Sequence, residues 1–317
     1  MKVVFMGTPD FAVPTLKEII NAGHEVAAVV TQPDRPGGRG KKIKMAPVKL
    51  AAGELGLQVF QPDKVRDPGF VQELRRLNPE LIVVAAFGRI LPGEILNLPR
   101  YGCINVHASL LPAYRGAAPI HRAVINGERE TGVTIMLMDA GLDTGDMLLQ
   151  EKITIGPEDT VGVVHDRLAV LGGRLLVKAM ELIQTGRAKP VPQDDSKSSY
   201  AAMLKREDEI ICWAEDAVVI KNRVRGLNPW PGARTELEGK VLKIWRVSLA
   251  GDAPVQGKPG QVLEASAGRG ILVRAGNAVL SLDELQLQGR KSMRAADFLR
   301  GNPLTPGIFL GSPSGGD

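Results

Sequence analysis

Three observations predict an α/β chain followed by a smaller all-β part. Apolar runs of strand length alternate with helically spaced ones through the first 186 of the 317 residues. A polar stretch rich in Pro and Ser comes next, "RAKPVPQDDSKSSYAAM". Beyond it, short runs of β-type residues are divided at close intervals by Gly and Pro. Near-continuous Val/Ile/Leu strands separated by helices imply a mostly parallel sheet covered on both faces. Closely spaced short strands imply a small barrel. The expected division is residues 1–186 as an α/β domain, 187–203 as a linker and 204–317 as a β-barrel domain.

Each element has its own justification. "KVVFMG" is a buried strand ending in Gly7, and "FAVPTLKEIINAG" carries Leu16, Ile19 and Ile20 at helical spacing before stopping at Gly23. Strand "HEVAAVVT", a short helix near "PVKLAAGELG" and strand "LQVFQ" follow. Helix "PGFVQELRRLN", strand "ELIVVAAFG", strand "GCINVH", helix "APIHRAVINGE" and strand "GVTIMLM" continue the alternation. A longer helix, "TVGVVHDRLAVLGGRLLVKAMELIQTG", closes the domain. This is the order of a doubly wound, Rossmann-like sheet, in which ligands bind outside the carboxyl ends of the strands. The first turn, "MGTPDF", has one glycine where the dinucleotide fingerprint needs three, and Pro9 and Asp10 fill the space of a pyrophosphate. No NAD site is read there. In the last third, "ARTELEGKVLKIWRVSL", "GQVLEASAGRGILVRAG" and "NAVLSLDELQLQG" supply five or six strands, the pattern of an OB-like barrel.

Hydrophobic content of 44% and charged content of 24% are ordinary globular values. Cys103 and Cys212 lie far apart with no zinc spacing, which suggests a reduced, cytoplasmic protein. The chain opens on a strand with no leader before it, and no apolar run approaches the ~20 residues needed to span a bilayer. A soluble protein without membrane attachment, and a monomer, is expected. The net charge of +5 is concentrated in residues 31–49. There Arg35, Arg39, Lys41, Lys42, Lys44 and Lys49 face one carboxylate, Asp34; six cations less one anion equal the excess of the whole chain. A Gly/Pro-rich stretch of this charge reads as a mobile surface loop, either merely solvated or seeking the phosphates of a nucleic acid.

The chemistry is carried by "NVHASLLPAYRGAAP" and "MDAGLDTGDML". Asn105 and His107 are two apart at a strand end, so both side chains leave one face of the sheet. Ser109 follows, but the G-x-S-x-G elbow of a nucleophilic serine is absent, which counts against a Ser/His/Asp hydrolase. The second stretch is a Gly-rich loop at the next strand end and holds Asp139, Asp143 and Asp146. Its Asp-Thr-Gly matches the aspartic-protease tripeptide, but there is one copy only and the α/β context is wrong. In a doubly wound sheet this loop can cross beside His107. An Asn–His–Asp set suits acyl transfer in which the substrate brings the nucleophile: two donors for an oxyanion and a carboxylate to orient His and move protons. Taken alone, a strand-end His such as His107 is more often structural than catalytic, and Asp143 reads as a helix-cap or turn residue.

The two stretches together resemble the paired signature of the 10-formyltetrahydrofolate-dependent formyltransferases. The basic stretch "PDRPGGRGKKIKMAPVK", the linker "SSYAAMLKREDEIICW", the turn "NPWPGA" and the tail "KSMRAADFLRGNPL" resemble the branch that acts on initiator methionyl-tRNA, over essentially the full chain. One departure is Phe87, where the family often has Tyr. The resemblance implies a catalytic set of Asn105, His107 and Asp143, and a folate-contacting turn of Ser109, Leu110, Leu111 and Pro112. It places pterin-pocket walls in Phe87 to Pro92, including Gly88 and Ile90, and in Asp139 to Gly145, including Gly141. It implies that Arg39, Lys41 and Lys42 meet the acceptor stem of the tRNA and that the barrel holds a tRNA arm. The co-substrate is 10-formyltetrahydrofolate and the partner initiator methionyl-tRNA, with no metal and no NAD. In the implied mechanism the methionine α-amino group attacks the formyl carbon on N10. Asn105 and protonated His107 hold the oxyanion while Asp143 keeps His107 charged and assists proton movement. A formyl-folate hydrolase, a sugar-amine formyltransferase and a non-catalytic tRNA-binding protein stay open as rivals.

Overall fold

The computed structural model describes residues 1–37, 42–251, 255–266 and 268–311. Its elements run β1 (Lys2–Gly7), α1 (Ala12–Asn21), β2 (Glu25–Val30), β3 (Arg35–Gly37), β4 (Lys42–Lys44), α2 (Pro47–Glu54), β5 (Val59–Phe60), α3 (Pro68–Leu77), β6 (Leu81–Ala85) and α4 (Gly93–Leu96). Next come β7 (Cys103–His107), β8 (Arg115–Gly116), α5 (Pro119–Ile125), β9 (Glu130–Leu137), β10 (Met147–Thr154), α6 (Val161–Gln184) and β11 (Tyr200–Ala201). The last third holds α7 (Ala217–Gly226), β12 (Ala233–Leu237), β13 (Lys240–Leu249), β14 (Val262–Ser266), β15 (Gly270–Arg274), β16 (Val279–Leu287), β17 (Met293–Arg294) and α8 (Ala295–Gly301).

These elements gather into two compact units. The first comprises residues 1–119, 130–154 and 165–202; the second comprises 120–129, 155–164 and the chain from Met203 onward. The polar stretch 187–203, expected as a linker, lies in the first unit up to Ala202.

The first unit is built on a seven-stranded sheet of order β10-β9-β7-β6-β1-β2-β5. The five strands from β5 to β7 are parallel; β9 pairs antiparallel with β7, and β10 pairs antiparallel with β9 at the edge. The mostly parallel sheet read from the Val/Ile/Leu runs is therefore present. Val3, Val4, Phe5 and Met6 of β1 are fully buried, as a central strand covered on both faces requires. At Gly7 a Cβ would lie 2.8 Å from Ala12 Cβ and 2.9 Å from the Ala85 carbonyl, so α1 packs this close to the sheet only over a glycine. Helix α3 starts where Asp67 accepts from the Phe70 amide and Pro68 presets the first turn; it stops at Asn78 in the left-handed region. The chain fills one side of β1 with β2 and β5, then returns to build β6 and β7 on the other. The order thus reverses between β1 and β6, and the carboxyl ends at such a switch point are where ligands bind in sheets of this kind.

The second unit is an antiparallel sheet of order β12-β13-β16-β15-β14, with β17 paired to β16. Among the described residues β12 and β14 stay at the two edges. Inward residues such as Ile244, Val262, Ile271, Leu280 and Leu282 pack with Ile220 and Val224 of α7 and Phe298 of α8. Trp213 is buried against them, and its indole N–H reaches the Thr235 hydroxyl at 3.1 Å. No helix among the described residues is long and apolar enough to cross a membrane.

Candidate functional site

Strand β7 lies inside the sheet between β6 and β9, so its side chains alternate between two covered faces. Ile104 and Val106 fill one face, and Asn105 and His107 share the other at the carboxyl end, with His107 5% exposed. Asp143 reaches both from the β9–β10 loop. Its Oδ1 accepts from Asn105 Nδ2 at 3.4 Å, and its Oδ2 lies 3.7 Å from His107 Nδ1. The same Oδ2 accepts from the Gly116 amide at 2.9 Å. On the far side of the ring, His107 Nε2 is 3.0 Å from the Tyr114 carbonyl. A carbonyl only accepts, so Nε2 carries a proton there, and Nδ1 is the nitrogen that faces Asp143. The spacing pairs Asn105 with His107, the resemblance adds Asp143, and the structure brings the three together.

The turn after β7 is held from beneath. The Ser109 hydroxyl is buried and donates to the Ala113 carbonyl at 2.6 Å, so it closes the turn from within. Thr134 of β9, fully buried, donates to the Ser109 carbonyl at 2.7 Å and accepts from the Leu111 amide at 3.1 Å. Gln150 of β10 adds a bond from its amide to the Leu111 carbonyl at 2.7 Å. Leu111 points into the core, and Leu110 and Pro112 are half-buried. Thr134 and Gln150 escaped sequence reasoning because a Thr and a Gln on strands carry no motif. Thr134→Val is expected to leave the Leu111 amide and the Ser109 carbonyl without this partner and to destabilise the fold by about 1–3 kcal/mol, the cost of unsatisfied buried groups. Denaturant unfolding measures it, and an unchanged midpoint would reject the role.

The β9–β10 loop is internally braced. Asp139 accepts from the Gly141 amide at 3.0 Å and from the Thr144 hydroxyl at 2.8 and 2.9 Å. A Cβ on Gly145 would collide with the Leu137 carbonyl, so glycine is required where the loop folds back onto its own strand. Asp143 itself has φ +54°, in the left-handed region.

At the switch point between β1 and β6 the side chains are tied to one another. Gln32, just beyond β2, donates its amide to the Phe87 carbonyl at 2.8 Å, and its backbone N–H meets the Thr8 hydroxyl at 3.2 Å. Ala86 and Gly88, at φ +45° and +71°, bracket Phe87 and turn its ring into the core, where it is 2% exposed. Ile90 stands 71% exposed. Of the candidate pocket wall, the Phe87 ring thus faces inward while Ile90 faces out.

Of the basic stretch, Arg39 and Lys41 lie outside the described residues, and Lys42 opens β4. Its root is anchored: Lys49 pairs with Asp34 at 2.5 Å and with Gln61 Oε1 at 2.6 Å, and Gln61 bonds Asp34 at 3.0 Å. These hydrogen bonds, from Lys49 first and Gln61 second, hold the Asp34 carboxyl below its ordinary value. A depressed carboxylate contributes stability above its unfolded value, near pH 4, and loses it as pH falls through the folded one. Asp34→Asn is therefore expected to lower the melting temperature at pH 7, with the gap to wild type closing on acidification. A gap independent of pH from 7 to 3 would refute the pairing.

Comparison with known proteins gives the family of the chain. The family described as "Formyl transferase" matches residues 1–180, and "Formyl transferase, C-terminal domain" matches residues 203–303. The methionyl-tRNA formyltransferase of Pelotomaculum thermopropionicum is 59% identical over 98% of this chain and 99% of its own. That of Geobacter metallireducens is 54% identical over the same shares. HypX from Aquifex aeolicus, solved with tetrahydrofolic acid, is similar in fold, with a TM-score of 0.66 at 17% identity over 99% of this chain and 51% of that one. The chain belongs to the formyl transferase family.

Proposed function

We propose that this chain transfers the formyl group of 10-formyltetrahydrofolate to the α-amino group of methionine carried by initiator tRNA. The observation that carries the reading is the convergence of Asn105, His107 and Asp143 in a chain that matches methionyl-tRNA formyltransferases over 98% of its length. The unprotonated amine attacks the formyl carbon, a carbon–nitrogen bond forms and the formyl oxygen takes up negative charge. Asn105 has two amide protons; one faces Asp143 and the other is left for the oxyanion. His107, protonated at Nδ1, adds a second donor, and donors fixed in advance stabilise such charge without reorganisation. Asp143 balances the imidazolium and lies where it can take the proton of the attacking amine. Collapse of the intermediate breaks the bond to N10, which receives that proton, and leaves tetrahydrofolate and N-formylmethionyl-tRNA. The turn 109–112, Gly88, Ile90 and the loop 139–145 would border the pterin, and the second unit would grip the tRNA. A monomer working in the cytoplasm suits this role.

The test compares three acceptors for formyl from 10-formyltetrahydrofolate: charged initiator tRNA, free methionine and water. Rapid transfer to the tRNA alone is expected. Donor loss at equal rates with and without charged tRNA would indicate the hydrolase, and preference for a sugar amine would indicate the other branch.

A further inference from the structure

The loop carrying Asp143 has a clamp that comes from far along the chain. Gln193 lies in "PVPQDDSKSSY", a stretch with no hydrophobic period that reads as linker. Its Nε2 donates to the carbonyl of Asp143 at 2.9 Å and to that of Gly145 at 2.7 Å. Its Oε1 accepts from Arg115 Nε at 3.0 Å and Nη2 at 2.8 Å. The orientation of this amide is fixed by its partners. A guanidinium only donates and two carbonyls only accept, so no flipped amide satisfies the set. Arg115, with its side chain 12% exposed, is held in turn by Asp195 at 2.7 Å.

The segment around Gln193 is itself stitched to the site. Val191 exchanges backbone bonds with Met147 at 2.9 Å, and Tyr200–Ala201 pair in parallel with Arg115–Gly116. Ser199 Oγ accepts from the amide of Tyr114, whose carbonyl receives His107 Nε2. One polar stretch thus touches the residues on both sides of the His107–Asp143 pair. Asp143 needs such support, because a non-glycine residue in the left-handed region persists where its surroundings over-determine it.

We infer that Gln193, held by Arg115, is a positioning residue that aims the Asp143 carboxylate at His107 and Asn105 for formyl transfer. The inference rests on the proposed role of Asp143 in that reaction. Gln193 acts through the protein: it fixes the backbone on both sides of Thr144, and through it the carboxylate.

Gln193→Glu separates this role from bulk packing. It keeps the acceptor facing Arg115 and the side-chain size, but sets a carboxylate oxygen against the two carbonyls. Relative to wild type, kcat for formyl transfer to charged initiator tRNA is expected to fall about 10- to 100-fold, the scale of a misplacement of ~1 Å. KM for 10-formyltetrahydrofolate is expected to stay within about threefold, and the pH–rate profile to shift on the limb that Asp143→Asn removes. Arg115→Ala is expected to cause a similar loss, and the double variant no more than the larger single one, because both act through one contact. Thermal unfolding reports whether each variant is folded, and Gln193→Asn is a second, milder probe. If folded Gln193→Glu and Gln193→Asn keep kcat within twofold and the profile unmoved, or lose activity only in proportion to folded protein, the clamp is overturned while Asp143 stands. If Asp143→Asn itself retains wild-type kcat, both the clamp and the proposed role of Asp143 fall.

Discussion

His107→Ala and Asn105→Ala are each expected to lower turnover about 10²- to 10³-fold, the usual cost of losing one oxyanion donor. Affinity for 10-formyltetrahydrofolate is expected to change little, because both residues act on charge that develops only in the transition state. Asp143→Asn is expected to be as damaging for two reasons visible in its contacts. Its two oxygens accept from Asn105 and from the Gly116 amide, so an amide nitrogen in either place sets donor against donor. The charge that balances His107 is also withdrawn, and the pH–rate profile should lose a limb. Because the three residues act as a unit, the Asn105→Ala/Asp143→Asn pair should cost far less than the product of the single losses. Steady-state kinetics with charged initiator tRNA decide the matter: turnover within threefold of wild type would remove that residue from the reaction.

The convergence of Asn105, His107 and Asp143 was legible partly through a simple periodicity, while the role proposed for them came from the resemblance. Two residues at spacing two on a strand end share a face, and a Gly-rich loop at the neighbouring strand end has few other places to go. The parallel sheet was legible for the same reason, in runs such as "ELIVVAAFG". Features set by backbone bonding left no trace. Strands β8 and β11 are two residues each, and no hydrophobic pattern exists over that length. Edge strand β10, "MLLQEKIT", is no more than half-buried along its length, so it shows no buried apolar face to read. Helix α7 hid for another reason: Ala217, Ile220 and Val224 mark a buried face, but exposed Val218 and Val219 blur its period. Phe87 is a case where side-chain direction was not legible. The resemblance places it in a pocket wall, and two left-handed neighbours, Ala86 and Gly88, turn its ring into the core. Gln193 was missed because a residue that works by two hydrogen bonds to carbonyls looks like any other polar residue in a polar stretch.

Removing the charge of the basic stretch is expected to weaken tRNA binding in a way that salt reveals. Arg39, Lys41 and Lys42 stand in a Gly-rich segment whose excess equals the net +5 of the chain. Lys49 does not belong with them, because Asp34 neutralises it at the root of the segment. If each of the three meets one phosphate, the triple alanine variant loses about three contacts. At about 0.7–0.9 per contact, the slope of log affinity against log salt shrinks by roughly 2–3 units. Between 50 and 200 mM salt the wild type should then lose about 20- to 40-fold more affinity than the variant, which follows from that slope. Binding of 10-formyltetrahydrofolate should be unaffected, since the strand end and loop proposed to hold it draw on other residues. Turnover at saturating tRNA should also fall if the segment aims the acceptor end, by up to ~10²-fold for a misplacement of ~1 Å. The measurement is tRNA affinity over a salt series for both proteins. Parallel lines of equal intercept would show that these three cations are only solvated, and the tRNA would then have to be steered by charges elsewhere on the protein.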